Sequence, residues 1–399
     1  MLFRSEIYMQ QPEGFKLGST NQVLRLDRAI YGLKQASHSW WKELDASMKR
    51  LGFRRSASDA GVFFAKIKQN LVVIIVYVDD AIFFGKNIED VRYVKKTFMD
   101  TWECRDLGEA KEFLRMRIQR DLKKRMIYLD QTDYLNKVVE RFGMSNARGA
   151  ETPLPIDFVP RENDGQCTPE FRTTYQSIIG SLLYIMIGTR PDITIAVTKL
   201  AQFSVNPSKE HMSKAQHVVR YLNSTKNYRM VFNGSLDAGL IAYTDSDWAA
   251  DQIKRRSVTG YFFELANCIF SWQSRAQKTV ALSSTEAEYM ALSDTSRQAV
   301  WIQSLLGELG FSIPTVPICG DNQASIFIGS NPVQERRSKH IDIRYHYVRQ
   351  LIEERKIDLY FVEGAENPAD LFTKNLGKVK FLKFRNKLGL EFNVKNTQN

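Results

Sequence analysis

The chain has 399 residues, of which 43% are hydrophobic, so it is long enough for two or three domains with buried cores. Its 56 Lys and Arg residues exceed its 45 Asp and Glu residues, and the net charge of +11 suits a polyanionic partner. Four widely spaced cysteines exclude a disulfide framework, and no apolar run is long enough to cross a membrane. We therefore expect a protein of a reducing compartment, without a signal peptide.

The first elements predicted along the chain are an extended piece and a helix. Glu6–Phe15 contains Pro12 and Gly14, which interrupt regular structure, so it is predicted to be extended. Ile30–Trp40 leads into a helical pattern that continues through Leu51. This pattern alone indicates no more than a helix whose aromatic face packs against a core.

The strongest strand signal is an apolar, β-branched run from Leu71 to Val78, followed by a shorter apolar run that ends at Gly85. Asp79 and Asp80 lie between the two runs. Asp is poorly suited to strand interiors, so the pair is predicted at the turn of a tight hairpin whose arms are core. Two carboxylates fixed at one point would suit Mg²⁺. Asp-Asp alone is more typical of a plain turn, so the pattern leaves both interpretations open.

A proline-rich segment, 151–174, follows and is predicted to be a loop or linker because it has few apolar residues. Helical periodicity resumes in Tyr175–Ile187, Asp192–Ser204 and Glu210–Leu222. Pro191 is predicted to begin the second of these helices. No residue in them indicates chemistry.

From Gly239 the pattern becomes strand, strand, strand, helix, strand, helix, strand. The predicted strands are Gly239–Thr244, Val258–Phe263, Cys268–Trp272, Thr315–Cys319 and Ile357–Val362. Four acids fall at the joints between these elements: Asp245, Glu288, Asp321 and Asp370. They lie tens of residues apart, so only the fold could bring them together, and their spacing is weak support by itself.

The acid on the predicted helix has a rival two residues away. Ser283 and Glu286 form a Ser-x-x-Glu capping box, in which Glu286 caps the helix N-terminus. Glu288 lies one turn into the helix and is not part of this cap. We therefore select Glu288 as the candidate for chemistry.

Two other acids also have alternative interpretations. Asp245 is expected to end its strand, whereas Asp247 is expected in the loop beyond it, so we select Asp245. Asn367-Pro368-Ala369-Asp370 fits the N-cap, N1, N2 and N3 positions of a helix. Asp370 could therefore be a plain first-turn acid instead of a metal ligand.

The phrases around these residues resemble the Pol polyproteins of copia-type retrotransposons. In the first part of the chain the similar phrases are Gln11-Pro12-Glu13-Gly14-Phe15, Tyr31-Gly32-Leu33-Lys34-Gln35-Ala36, Tyr77-Val78-Asp79-Asp80 and Asp106-Leu107-Gly108-Glu109. In the last part, the phrases similar to the ribonuclease H domain of these polyproteins are Tyr243–Ala249, Ser283–Tyr289, Cys319–Gln323 and Asn367–Asp370. The resemblance covers nearly all of residues 5–376.

The resemblance implies an α/β (α+β) chain. A partial reverse-transcriptase palm with thumb and connection helices would be followed by a ribonuclease H-like α/β domain with a mixed five-stranded sheet. The implied boundaries are 1–150 for the partial reverse transcriptase, 151–230 for the linker and helical thumb or connection, 231–376 for the ribonuclease H-like domain and 377–399 for a basic tail. We expect the segment from Gly234 to Gly377 to fold alone.

For the polymerase, the resemblance implies Asp79 and Asp80 as catalytic metal ligands and Lys34, Gln35 and Tyr77 as substrate-binding residues. The implied partners are an RNA template and a DNA primer, with dNTP only if a missing segment is supplied. No membrane partner is implied, and the implied location is intracellular: either the cytoplasm, where virus-like particles are one option, or the nucleus.

For the nuclease, the resemblance implies Asp245, Glu288, Asp321 and Asp370 as catalytic ligands of two Mg²⁺ ions, which Mn²⁺ can replace. Such ions would support hydrolysis of the RNA strand of an RNA–DNA hybrid.

Two departures from the family bear on the polymerase. A third catalytic Asp lies in the family upstream of the phrase that is here Ile7-Tyr8-Met9, so a chain that starts at Met1 is expected to lack it. Arg115 stands where the family usually carries Gly, which either weakens the hairpin that grips the primer or adds a phosphate contact. The alternatives are a ribonuclease H without polymerase activity, a silent remnant that at most binds nucleic acid, and a longer product in which the upstream Asp is present.

Overall fold

The computed structural model describes residues 6–15, 18–19, 22–234, 239–251, 254–330 and 339–393, without the side chains of 339–342. The chain divides into two compact units, Met1–Gly108 and Glu109–Asn399, each of which mixes helices and strands. The predicted α/β fold class is thereby confirmed. No helix in the described part of the chain is long and apolar enough to span a bilayer.

The first unit contains a four-stranded antiparallel sheet in the order β3-β4-β5-β6 and a separate two-stranded pair, β1-β2. Its elements are β1 (Tyr8–Gln10), β2 (Val23–Arg25), α1 (Ala36–Arg50), β3 (Arg54–Arg55), β4 (Val62–Ile67), β5 (Asn70–Tyr77), β6 (Asp80–Gly85) and α2 (Ile88–Thr101). Met48 of α1, Phe98 of α2 and Ile74 of β5 share one core. The helix through Leu51 and the hairpin around Asp79 are confirmed as elements.

The second unit begins with a meander and a group of helices. These elements are β7 (Glu112–Phe113), β8 (Met116–Asp121), β9 (Met126–Asp130), α3 (Thr132–Arg141), α4 (Pro169–Gly188), a 3₁₀ helix (Pro191–Ile193), α5 (Thr194–Ala201), α6 (Lys209–Ser224) and β10 (Tyr228–Phe232). The predicted loop at 151–174 is shorter than expected: 151–168 contains no helix or strand, but α4 already begins at Pro169. As predicted, Pro191 is the first residue of its helical turn. The predicted helix to Ser204 ends earlier, at Ala201.

A buried ion pair joins these helices. The Arg190 guanidinium binds both carboxylate oxygens of Asp192, at 2.9 and 2.7 Å, and donates to the carbonyl of Thr225 at 3.1 Å. Tyr221 donates to the same carboxylate at 2.5 Å, and Arg385 donates to the Tyr221 hydroxyl at 3.3 Å. Arg190 and Asp192 are 2% and 0% exposed, so each charge depends on its partner for compensation.

The rest of the second unit is built on a mixed five-stranded sheet. Its elements are β11 (Ile241–Asp247), β12 (Val258–Leu265), β13 (Cys268–Ala276), α7 (Ser284–Glu308), β14 (Val316–Gly320), α8 (Gln323–Ser330), α9 (Lys339–Glu353), β15 (Ile357–Phe361), a 3₁₀ helix (Pro368–Phe372), α10 (Lys378–Asn386) and β16 (Leu390–Phe392). The sheet order is β13-β12-β11-β14-β15, with β11 to β13 antiparallel and β14 and β15 parallel to β11. The predicted mixed sheet is confirmed.

Both faces of this sheet are covered, because side chains alternate between faces along a strand. Tyr261 and Phe263 of β12 pack in one core with α7 and α9. Phe262 lies between them in the sequence and packs in another core with helices α4 to α6. Phe372 belongs to that same core. The helices predicted as a separate connection therefore cover one face of this five-stranded sheet.

This shared core changes one expectation. A segment from Gly234 to Gly377 would leave Phe262, Ile269 and Phe372 without the helices that bury them. We no longer expect that segment to fold alone.

The predicted basic tail is wrong as far as the structure describes it. Lys378–Asn386 is a helix whose Phe381 and Phe384 are buried, and Leu390–Phe392 pairs with β10. The lysines suggested an exposed segment, but the aromatic residues between them anchor one helix face in the core. Residues 394–399 lie outside the described part.

Candidate metal-binding active site

The candidate site is centred on Asp245, the fifth residue of β11. Asp245 is 1% exposed, and its strand does not end there as predicted. Backbone pairing with β12 continues for two more residues and ends with Asp247 opposite Val258. Asp247 is therefore the last residue of the strand and not a loop residue, and the two acids lie on the same face.

Two further acids reach Asp245 from other parts of the fold. Asp321 directly follows β14, the parallel neighbour of β11, and Asp370 lies in the 3₁₀ helix Pro368–Phe372. Carboxylate oxygens of the three residues lie within 4.8 Å of one another. Among the described residues this is the one such group of three or more potential metal-binding side chains. The fold thus brings together three acids that the sequence separates widely.

The segment around Asp370 is tied to β11 by side-chain hydrogen bonds. Asn367 caps the 3₁₀ helix by accepting from the Ala369 backbone at 3.1 Å, and its amide donates to the Thr244 carbonyl at 3.0 Å. Thr373 donates its hydroxyl proton to Asp245. The predicted N-cap pattern is therefore present, and Asp370 is both a first-turn acid and a member of the acid group.

Gly260 makes this close packing possible. It lies on β12 directly opposite Asp245. A Cβ atom on Gly260 would lie 2.6 Å from Thr373 Cγ2 and 2.8 Å from Phe372 Cβ. Only glycine leaves room for the segment that carries Asp370 to lie against the sheet beside Asp245.

The two glutamates of α7 have different positions, since residues two apart do not share a helix face. Ser283 caps the helix by accepting from the Glu286 backbone at 3.1 Å, while Glu286 accepts from the Leu282 backbone at 2.8 Å. Glu288 turns the other way and accepts from the backbone N–H of Ser246 at 3.2 Å, beside Asp245. The selection of Glu288 over Glu286 is consistent with this geometry.

Burial and mutual repulsion perturb the acids. Burial raises the pKa of Asp245 to about 7, with repulsion from Asp370 adding to the rise and the Lys374 ammonium opposing it. Burial also raises the pKa of Glu288 well above its usual value, and Asp245 and Asp321 add to that rise. The pKa of Asp321 is raised by burial as well. A group that resists ionisation in this way is one that a cation would stabilise.

The donor set fits a hard divalent cation such as Mg²⁺, which prefers carboxylate oxygens. Asp370 Oδ1 is buried and accepts no hydrogen bond from the described residues. The ammonium of Lys374 lies 2.7 Å from this oxygen. A buried carboxylate oxygen that a cationic group already approaches is suited to a metal ligand.

In the first unit, the structure places Asp79 in the hairpin turn as predicted, whereas Asp80 is the first residue of β6. Tyr77 and Asp80 are paired, so Val78 and Asp79 form a two-residue turn, and Val78 has a φ of 55°. A positive φ is costly for a β-branched residue and is found where the surrounding structure imposes it. Tyr31 donates to Asp79 Oδ1 at 2.6 Å, and this bond raises the pKa of the Tyr31 hydroxyl.

The other residues implied for the polymerase are exposed. Lys34 and Gln35 directly precede α1, and Tyr77 at the end of β5 is 57% exposed. Arg115 lies in the two-residue turn between β7 and β8 with a φ of 55°, the conformation that glycine adopts most easily. Its guanidinium lies 5.7 Å from the ring centre of Tyr134. The Gly-to-Arg departure therefore leaves the turn intact.

Sequence reasoning missed the residues that assemble the acid group. Gly260 carried a signal, because an isolated glycine in a strand pattern indicates close backbone approach. The sequence identifies Asn367 as a cap but does not predict its hydrogen bond to the Thr244 carbonyl of β11. Thr373 and Lys374 lie three and four residues after Asp370 and carried no signal of their own.

Comparison with known proteins decides the family. The reverse transcriptase (RNA-dependent DNA polymerase) family profile matches residues 2–156. The putative transposon Ty5-1 protein of Saccharomyces cerevisiae is 30% identical over 295 residues, which cover 72% of this chain and 94% of that protein. The chain belongs to the retrotransposon Pol polyprotein family. The copia-type resemblance noted in the sequence is thus confirmed at the level of the family.

Among Pol polyproteins, that of transposon TNT 1-94 from Nicotiana tabacum is 37% identical over 395 residues, or 97% of this chain. The alignment covers 30% of the TNT 1-94 polyprotein, so the chain spans less than a third of this relative. The foamy viral protease-reverse transcriptase, solved with RNA/DNA hybrid, aligns over 85% of this chain and 39% of its own at 13% identity, with a TM-score of 0.46.

Proposed function

We propose that the second unit hydrolyses the RNA strand of RNA–DNA hybrids. The observation that carries this proposal is the convergence of Asp245, Asp321 and Asp370 within 4.8 Å, with Glu288 hydrogen-bonded beside them. These four residues would hold divalent cations, Mg²⁺ or Mn²⁺. When bound, such cations activate the attacking water and stabilise the leaving 3′ oxygen.

The protein's own residues would prepare this site. Thr373 fixes the orientation of Asp245 through its hydrogen bond, and Glu288 holds the end of β11 through the Ser246 backbone. The low exposure of Asp245 and Asp370, 1% each, limits competing hydration of their carboxylates. The net charge of +11 would attract the phosphate backbone of either strand.

The test is cleavage of an RNA–DNA hybrid by the purified full chain with Mg²⁺ or Mn²⁺. We expect cutting of the labelled RNA strand, and its loss in Asp245→Asn and Glu288→Gln. Glu286→Gln is the matched control, since it makes the same chemical change two residues away on the same helix and should keep activity. Hybrid binding that weakens with salt, without any cleavage, would support the silent-remnant hypothesis instead.

For the first unit we propose a contribution to an RNA-directed DNA polymerase site. Asp79 and Asp80 would supply two metal-binding carboxylates, and Lys34, Gln35 and Tyr77 would contact substrate. The hydrogen bond from Tyr31 to Asp79 supports this proposal, because it joins two of the resembling phrases. Within the described residues the hairpin acids belong to no group of three, so this chain alone should extend a primed RNA template no faster than background.

A further inference from the structure

One lysine lies directly between two acids of the candidate site. Lys374 Nζ is 2.7 Å from Asp370 Oδ1 and 3.5 Å from Asp245 Oδ2. Both carboxylates are buried, whereas the Lys374 side chain is 38% exposed. The ammonium therefore bridges the same edge of the acid group that a divalent cation would use.

A second lysine is held differently. Lys380 binds the other oxygen of Asp370 and also donates to the Gly364 carbonyl at 3.3 Å. It lies 5.2 Å from the ring centre of Phe384, so its stem and charge are both anchored. It makes no ion pair with Asp245 among the contacts of the described residues. Lys374 thus differs from Lys380 in bridging two acids without an anchor of its own.

We propose that Lys374 is a built-in counter-ion of the acid group, which a divalent cation has to displace from the edge between Asp245 and Asp370. This inference rests on the proposed nuclease function, because it assigns the metal to the same carboxylates. Beyond the four acids, this proposal assigns Lys374 a role in setting the affinity of the site for the metal.

Lys374 and a bound metal ion would compete for the same carboxylate oxygens. An ammonium group and a metal ion cannot occupy the same edge, because both need the carboxylate lone pairs and both repel each other at short distance. The buried acids require compensation when no metal is present, since unpaired buried charges are strongly destabilising. Lys374 supplies this compensating charge. Because its side chain is partly exposed, the ammonium can withdraw into water when the metal enters.

The test compares Lys374→Met with the full chain by thermal unfolding, first in EDTA and then in a titration with MgCl₂. The variant should unfold at lower temperature in EDTA, because the acids lose their counter-ion. Its half-saturating Mg²⁺ concentration should fall by about tenfold, or about 1.4 kcal/mol, because no ammonium has to leave. Lys374→Arg retains the charge and should remain close to the unaltered chain in EDTA.

Lys387→Met is the matched control. It removes the same charge from the same part of the chain, but Lys387 pairs with Glu366 at 3.1 Å instead of with the acid group. It should leave the Mg²⁺ titration unchanged. If Lys374→Met does not yield folded protein even with Mg²⁺ present, the same Mg²⁺ titration is performed with Lys374→Gln.

The outcomes separate this inference from the proposed function. An unaltered chain that Mg²⁺ stabilises, with the same or weaker Mg²⁺ binding in the charge-removing variants Lys374→Met and Lys374→Gln, would overturn the counter-ion role alone. An unaltered chain that neither Mg²⁺ nor Mn²⁺ stabilises would overturn the metal site and the counter-ion role together. Tighter Mg²⁺ binding in Lys374→Met but not in Lys387→Met is the result expected.

Discussion

Asp245→Asn should make the metal-free protein more stable at neutral pH, although it removes the central acid of the candidate site. Asparagine has nearly the shape of aspartate and can still accept the hydrogen bond from Thr373. It cannot ionise, so it avoids placing a charge at a position that is 1% exposed. The gain should depend on pH in a way that the folded-state pKa determines.

The direction of this pH dependence follows from the linkage between proton binding and folding. Burial raises the pKa of Asp245 from 3.8 to about 7 in the folded protein. Well below pH 3.8 the carboxyl is protonated in both states and does not affect folding stability. As the pH rises toward 7 the unfolded chain ionises more readily than the folded one, so folding stability falls. The full effect has an upper limit of about 4 kcal/mol, of which roughly 3 kcal/mol falls between pH 5 and pH 8.

The assay is urea unfolding of both proteins in EDTA at several pH values between 5 and 8. The difference in unfolding free energy between Asp245→Asn and the unaltered chain should grow in favour of the variant as pH rises. Mg²⁺ should remove the pH-dependent loss in the unaltered chain only. Asp157→Asn, a change at an exposed acid, is the control and should not alter the slope. Parallel pH profiles for the unaltered chain and Asp245→Asn would refute the reasoning.

The remaining predictions concern the fold around the site. Glu286→Gln should cost no more than about 1 kcal/mol in urea unfolding, whereas Glu288→Gln should leave the far-UV circular dichroism unchanged while hybrid cleavage is lost. Gly260→Ala should cost about 1–3 kcal/mol, because its new Cβ meets atoms under 3 Å away, and cleavage should fall with it; an unchanged stability would contradict the packing argument. Arg190→Met should cost about 3–5 kcal/mol, because it leaves a buried carboxylate uncompensated. Residues 234–377 alone should show no cooperative unfolding transition, and a dispersed amide NMR spectrum would contradict this.

Much of the local structure could be predicted because its causes are local. The apolar run before Asp79 dictates a buried strand, and the acids that follow it favour a turn. The cap at Ser283 and the helix start at Pro191 are likewise determined by neighbouring residues. These elements lie within a residue or two of their predicted positions.

The assembly of the acid group could not be predicted in the same way. Where β11 ends depends on its pairing with β12, so the extension to Asp247 is a property of two strands and not of one. The contacts of Thr373 and Lys374 with Asp245 cross 128 and 129 positions of sequence. Their residue types are common on any surface, and only the fold gives them a role. The family resemblance identified the acids but not the residues that hold them.

The predicted boundary at residue 231 separates the sheet from helices that pack against it, and the sequence contained a sign of this packing. Tyr261, Phe262 and Phe263 are consecutive large apolar residues in one strand, and such a run predicts burial on both faces of a sheet. The predicted ribonuclease H-like segment has helices enough for one face. The second face therefore had to be covered by helices outside 231–376, and α4 to α6 are the ones that cover it. Because those helices contact the same sheet that carries Asp245, a change deep in their core, such as Arg190→Met, should weaken the candidate metal site as well as the fold.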